Sequence, residues 1–284
     1  MTAADKRSLP VLDIAAPPSQ AAHLVGDFRP ELLRSSEHDL CPGCGEPVAM
    51  RLALEVVQEL GCAQRAICSV GIGCYTNFTL TMDVDSVQCL HGRAPSVATG
   101  IKRMRPESLC FTLQGDGDMV NEGLQEVGHA AARGERITCI MLNNGVFGET
   151  GGHMTATTVL GQRTKSSLEG RDAGYHGHPI LIADLLAPLG GAAYVARGSV
   201  YNAAAITATK RMLRHAFQAQ LDGRGFSFVE ILTMCPTGWF IPVEQGPQYL
   251  HEVLGAVHGV GVLRDGDQLR TTRELLAEPR KGSR

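Results

Sequence analysis

The stretch Cys110–Gly148, CFTLQGDGDMVNEGLQEVGHAAARGERITCIMLNNGVFG, decides the fold. An apolar run ends at Gly115-Asp116-Gly117, a segment with helical spacing follows, and a second apolar run, ITCIMLNN, ends in Asn143-Asn144. Read as strand, tight turn, helix and strand, the unit brings Asp116 and Asn144 to the same edge of a parallel sheet. A hard cation such as magnesium takes oxygen ligands, usually one or two from carboxylates, and leaves positions for phosphate and water. The Asp116 carboxylate, the Asn144 amide and the Val146 carbonyl form such a set, with room left for a diphosphate. The flanking glycines let the backbone turn sharply and approach a phosphate without a side chain in the way.

Outward from this unit, hydrophobic periodicity predicts strands at 66–71, 87–90, 108–114, 136–143, 191–197 and 226–232. Helices are expected over Glu46–Leu60 and at 94–104, 119–132, 181–187 and 201–220. Strands alternating with helices imply an α/β fold, an open parallel sheet covered by helices on both faces. Ligands then belong at the carboxyl ends of the strands, where GDG and NN both fall. Residues 148–180, rich in Gly, Thr and His, are too long for a plain connector, as functional loops often are. We expect an extension over 1–37 that wraps the body or a partner, a body over 38–265 and a tail over 266–284. The tail opens as a short helix and ends in a frayed basic segment.

At 284 residues and 44% apolar content the chain can bury one large core. A net charge of −3 without a long basic block argues against nucleic acid or a membrane surface as the main partner. The longest apolar stretch, ILIADLLAPLGGAAYVA at 180–196, carries Asp184, Pro188 and paired glycines, so it reads as helix, turn and strand, not a bilayer span. The beginning of the chain lacks the apolar core of a signal peptide. A soluble, cytoplasmic protein with reduced thiols is expected.

The nine cysteines are scattered and odd in number, which argues against a disulfide scaffold. Four stand in Gly- or Pro-marked turns: Cys41 and Cys44 in CPGCG, Cys74 in GIGC and Cys235 in CPTGW. The CPGCG turn leads straight into the first helix, whose partial positive charge favours thiolates. Four such thiolates suit an iron–sulfur cluster or a zinc ion, and CxxC alone also suits a redox pair. Cys62, Cys68, Cys89, Cys110 and Cys139 lie in or beside apolar runs and read as small core residues. His176 and His178 in GYHGHP lack a third ligand nearby, and Trp239 reads as packing beside Cys235.

GDG followed after about 25 residues by NN resembles the thiamin-diphosphate motif. The order CPGCG, GIGC, HGRAPSVATGIKR, GDGD with NN, TGGHMTATT, GQRT and FSFVEILTMCPTGW across residues 41–239 closely resembles the β subunit of the 2-oxoacid:ferredoxin oxidoreductases. The resemblance implies a thiamin-diphosphate-binding fold and one [4Fe-4S] cluster on Cys41, Cys44, Cys74 and Cys235. It implies magnesium on Asp116, Asn144 and Val146, with Ile72, Gly73, Cys74, Tyr75, His91, Gly117, Asp118, Gly148 and Glu149 lining the thiamin diphosphate. The implied reaction is CoA-dependent oxidative decarboxylation of a 2-oxoacid, with electrons passing through the cluster to ferredoxin and an α subunit completing the site. The Gly170-Arg171-Asp172 loop looks most like the 2-oxoglutarate branch; branched-chain 2-oxoacids, pyruvate, or a non-redox decarboxylase with structural zinc are the alternatives. The chain departs from the family pattern in three places. It has His153 where many relatives have glutamine, Glu46 where they have histidine, and Gly151 where some use a lysine for the substrate carboxylate. His153 is therefore the expected catalytic residue, a donor to the substrate or an intermediate.

Overall fold

The computed structural model describes residues 31–35 and 37–278. In chain order it begins with α1 (Glu46–Glu59), β1 (Ala66–Val70), β2 (Asp85–Gln88), α2 (Ala94–Met104), β3 (Leu109–Gly115), α3 (Leu124–Arg133) and β4 (Thr138–Asn143). A hairpin of β5 (Val146–Phe147) and β6 (His153–Met154) follows, then α4 (Ala173–His176), α5 (Ile182–Leu186), β7 (Ala192–Ser199) and α6 (Ala203–Leu221). Next come β8 (Phe226–Leu232), α7 (Pro236–Trp239), β9 (Gly261–Asp265) and β10 (Gln268–Leu269), and the helix Thr272–Ala277 closes the described chain.

The main sheet has the order β10-β9-β7-β8-β4-β3-β1-β2. The six strands from β7 to β2 are parallel, and β9 and β10 add an antiparallel edge. Every residue of β4, β7 and β8 is buried, as expected of parallel strands with both faces covered. Alternation divides them between two cores. Phe111, Leu113, Ile140, Leu142, Val229 and Ile231 pack with α1 and α6 on one face. Cys110, Cys139, Met141, Phe226 and Phe228 pack with α2, α3 and α5 on the other. The expected sheet with two helical layers is what forms.

Helix α2 matches its expected span, and α1, α5 and α6 differ from theirs by at most two residues at either end. The helix expected at 119–132 is instead a π-helical turn over Gly117–Glu122 followed by α3. Wide turns of this kind often mark functional sites. Strand β2 sits two residues earlier than expected. All four of its residues are exposed at the sheet edge, so no burial pattern marks its register in the sequence. The boundary expected at 265/266 falls inside the β9–β10 hairpin, and the helix after it carries the buried Thr272. Most of the expected 1–37 extension lies outside the described residues; within it, Leu32 and Leu33 are buried and Leu33 bridges to Met82.

Candidate cofactor site

Strand β3 delivers Asp116 to the carboxyl edge of the sheet, and the neighbouring β4 delivers Asn143 and Asn144. Asp116 is 1% exposed, and its Oδ2 accepts from Thr155 Oγ1 at 2.6 Å and Thr157 Oγ1 at 2.5 Å. Burial raises its carboxyl to about 6 against the lowering effect of those hydroxyls. Asn144 Oδ1 accepts from Val146 N at 3.1 Å, and its Nδ2 donates to Glu46 Oε1 at 3.3 Å. The intervening Gly145 has φ +70°, a conformation that makes glycine the natural residue for this turn.

A cleft above this edge is lined by Ile72, Gly73, Cys74, Tyr75, His91, Gly117, Asp118, Asn144, Val146, Gly148 and Glu149, together with Glu46 and Thr150. Every residue expected along the thiamin is therefore brought together. Asp116 lies beneath this wall. Asp118 is 2% exposed and accepts from Gly92 N at 2.8 Å, Gln114 Nε2 at 2.7 Å and His91 Nδ1. It ties the His91 turn to the end of β3. Tyr75 is buried, with its hydroxyl on the Ile72 carbonyl at 2.8 Å. A Cβ on Gly117 would stand 2.2 Å from the Phe147 ring, so this glycine is already required by packing inside the chain.

Cys41, Cys44, Cys74 and Cys235 line a second cavity of about 240 Å³, which shares Glu46, Cys74, Asn144, Gly148 and Glu149 with the first. All nine cysteines are free thiols, and the five read as core residues are buried. Burial pushes the Cys44 and Cys74 thiols well above their ordinary range and Cys235 to about 12. Among the described residues no three His, Cys, Asp or Glu side chains converge on a point where one metal ion would sit.

Glu46, which stood out in the sequence only as a departure from a pattern, is 3% exposed and faces both cavities. Burial, then Asp116 and Glu149, raise its carboxyl to about 8, and its Oε2 has no hydrogen-bond partner. Glu46 and Asp116 are buried while Glu149 is exposed, and a cation near the two buried carboxyls would reverse the penalty on their charged forms.

His153 does not line the cleft; its Nδ1 lies 3.0 Å from the hydroxyl of Thr150, which does. The space beside Gly151 is taken by Lys165, whose Nζ would stand 3.2 Å from a Cβ built there. Arg171 is buried and donates to the carbonyls of Thr155, Ala156, Thr158, His176, Gly177 and His178, so it knots the 155–178 loop beneath Asp116. His176 Nδ1 accepts from Asp172 N at 3.1 Å, a turn bond within the loop. Trp239 is buried and donates to the Asn144 carbonyl at 2.7 Å, linking the Cys235 turn to the asparagine pair.

Residues 59–231 match the family described as thiamine pyrophosphate enzyme, C-terminal TPP binding domain. The ketoisovalerate oxidoreductase subunit VorA of Methanothermobacter thermautotrophicus is 36% identical over 225 residues, 79% of this chain and 47% of that protein. The chain thus spans about half the length of that relative. The 2-oxoglutarate synthase subunit KorB of Archaeoglobus fulgidus is 34% identical over 69% of each chain. In fold, the chain is similar to 2-oxoglutarate:ferredoxin oxidoreductase from Magnetococcus marinus, with a TM-score of 0.67 at 22% identity over 89% of this chain and 90% of that one.

Proposed function

The chain belongs to the family of 2-oxoacid:ferredoxin oxidoreductase β subunits, and on that premise we propose that it is the thiamin-diphosphate and [4Fe-4S] half of such an enzyme. The observation that carries the reading is the contact of the two cavities: a carboxylate–amide edge for a metal diphosphate shares Cys74, Glu46 and Gly148 with a ring of four thiols.

Asp116, Asn144 and the Val146 carbonyl would hold magnesium, and Ile72, Gly73, Tyr75, His91, Gly117, Asp118, Gly148 and Glu149 would enclose the cofactor. Cys41, Cys44, Cys74 and Cys235 would hold the cluster. Bound in the cleft, thiamin diphosphate would supply the chemistry for loss of CO2 from the 2-oxoacid, and a cluster would supply one-electron transfer. The shared wall of Glu46, Cys74 and Gly148 would keep the two groups adjacent, with CoA as the acyl acceptor. The α subunit, ferredoxin and a cytoplasmic setting complete the proposal. Among the described residues no helix is long and apolar enough to cross a membrane.

The lining of the thiamin cleft contains Glu46, Asp118 and Glu149 but no lysine or arginine. An anionic substrate therefore needs a cation from the rim, and Lys165 beside Gly151, with the neighbouring His153, supports that role. A second carboxylate on the substrate would use this cation, which supports 2-oxoglutarate. The 36% identity to a ketoisovalerate oxidoreductase subunit supports a branched-chain 2-oxoacid as the second reading. Anaerobic purification with metal and thiamin analysis tests the cofactors: about four irons and four sulfides per chain are expected, and one zinc without iron would sink the redox reading. Rates with 2-oxoglutarate and 3-methyl-2-oxobutanoate in the assembled enzyme decide the substrate.

A further inference from the structure

The asparagine pair contains one amide that the metal does not need. Asn143 is fully buried at the end of β4, with its Nδ2 donating to Glu230 Oε1 at 2.7 Å and its Oδ1 accepting from Gly145 N at 3.0 Å. This side chain shapes the turn that presents Asn144 and the Val146 carbonyl. An ionised carboxylate only accepts, so Glu230 fixes which end of the Asn143 amide faces it. Were the amide reversed, its oxygen would face the carboxylate and its NH2 would face the Gly145 N–H.

Glu230 is itself held on β8 beside Arg197 and His258, all three without solvent exposure. Its Oε2 accepts from Arg197 Nε at 2.6 Å, and Arg197 Nη1 donates to Gly259 O at 3.0 Å and Thr272 Oγ1 at 2.7 Å. Thr272 is tied to Asp184, its N–H donating to Asp184 Oδ1 at 2.7 Å. On the other side His258 Nδ1 lies 3.6 Å from Glu230 Oε1, while its Nε2 donates to the Thr157 carbonyl at 3.0 Å. Thr157 is one of the two hydroxyls that seat Asp116. Glu230 therefore holds the Asn143 amide directly and packs against His258, whose Nδ1 makes no hydrogen bond and whose Nε2 holds the Thr157 backbone.

We propose that Glu230 is a positioning residue that sets the spacing between Asp116 and the Asn144–Val146 turn, and thereby the affinity for magnesium diphosphate. The inference rests on the cofactor reading above. Hydrogen-bond partners of metal ligands commonly carry about 10- to 100-fold in metal affinity; Glu230 stands one hydrogen bond further out, behind Asn143, so the lower end of that range is expected.

The experiment is calorimetric titration of magnesium and thiamin diphosphate into the cofactor-free chain purified with its partner subunit. Glu230→Gln offers Asn143 an NH2 as well as an oxygen, lets the amide reverse, and should weaken binding by about 10-fold or more. Because that variant leaves buried Arg197 with only Asp184, 3.7 Å from its Nη2, as a charge partner, the double variant Arg197→Met/Glu230→Leu is the second arm. Apolar replacement of a whole buried pair is often tolerated, so its unfolding midpoint without cofactor should stay near that of the unaltered protein while the affinity still falls. A role limited to stability would move the midpoint and leave the affinity alone. Unaltered affinity in both variants overturns the inference by itself. No binding by the unaltered protein overturns the cofactor reading, and this inference with it.

Discussion

The two cavities are built by opposite means. Beneath the thiamin cleft, Asp116, Asn143, Thr155, Thr157, Thr158 and Arg171 are cross-linked by buried hydrogen bonds that involve the ends of β3, β4 and β8. Around the thiols, the cysteines come from three separated turns, and Cys41 is exposed. One cavity is shaped by the protein before anything binds. The other gathers three turns joined by few backbone bonds, among them Gly45 N to the Met234 carbonyl at 2.9 Å. Charge does not follow this division, because Glu46 and Glu149 line both cavities, while the thiols, whose pKa values burial raises, belong mainly to the second.

The largest expected effects attack each cavity at its own weak point. Asp116→Ala removes the carboxylate ligand and should lower magnesium-dependent thiamin diphosphate affinity by more than about 100-fold, measured by calorimetry. The fold should survive, because Thr155 and Thr157 remain anchored by Thr158, Arg171 and His258. Cys235→Ser should instead abolish the iron content and visible absorbance and lower the unfolding temperature, whereas Cys62→Ser should leave iron content and absorbance near their original values. Equal loss of iron in the two variants would erase the distinction between the turn cysteines and the core ones.

Next in size is the rim. His153→Ala should lower kcat/KM for the 2-oxoacid by about 10- to 1000-fold with cofactor binding intact, and His153→Gln should cost less. Lys165→Gln should raise the KM for 2-oxoglutarate by roughly 10-fold, the worth of one charge-assisted hydrogen bond, and spare a branched-chain substrate. Equal effects on the two substrates would assign Lys165 to the shared carboxylate.

The smallest effect sharpens the account of the preformed cleft. Burial holds His258 below its ordinary value of 6.5. As pH falls through 6.5, the unfolded chain takes the proton first, so stability should decline in that direction. Thermal unfolding of His258→Gln from pH 7.5 to 5.5 should show a shallower decline than the unaltered protein.

The β3–α3–β4 unit and the clustering of its ligand candidates were legible because they are local. An apolar run, a glycine-flanked carboxylate and a second run ending in amides imply neighbouring strand ends without further help. The β9–β10 edge was not legible, since Gly261–Asp265 is half-buried and its register breaks between Val195 and Ala196. Glu46 could be seen only as an anomaly, because its meaning depends on Asp116 and Glu149 reaching the same space. The Asn143–Glu230 bond joins residues 87 positions apart, and nothing in either apolar run marks the one polar member that will be paired.

The chain's sole tryptophan follows the Cys235 turn and reaches the asparagine pair from behind the cavities. Trp239 is buried, with its N–H on Asn144 and its ring 4.7 Å from that of Tyr249. Intrinsic fluorescence therefore comes from one emitter, with no second indole to average against. Loading the asparagine edge perturbs its hydrogen-bond acceptor, and an iron–sulfur group beside Cys235 would quench it by energy transfer. The order in which the two groups enter can thus be followed optically in the unlabelled protein, as a shift for one event and a dimming for the other.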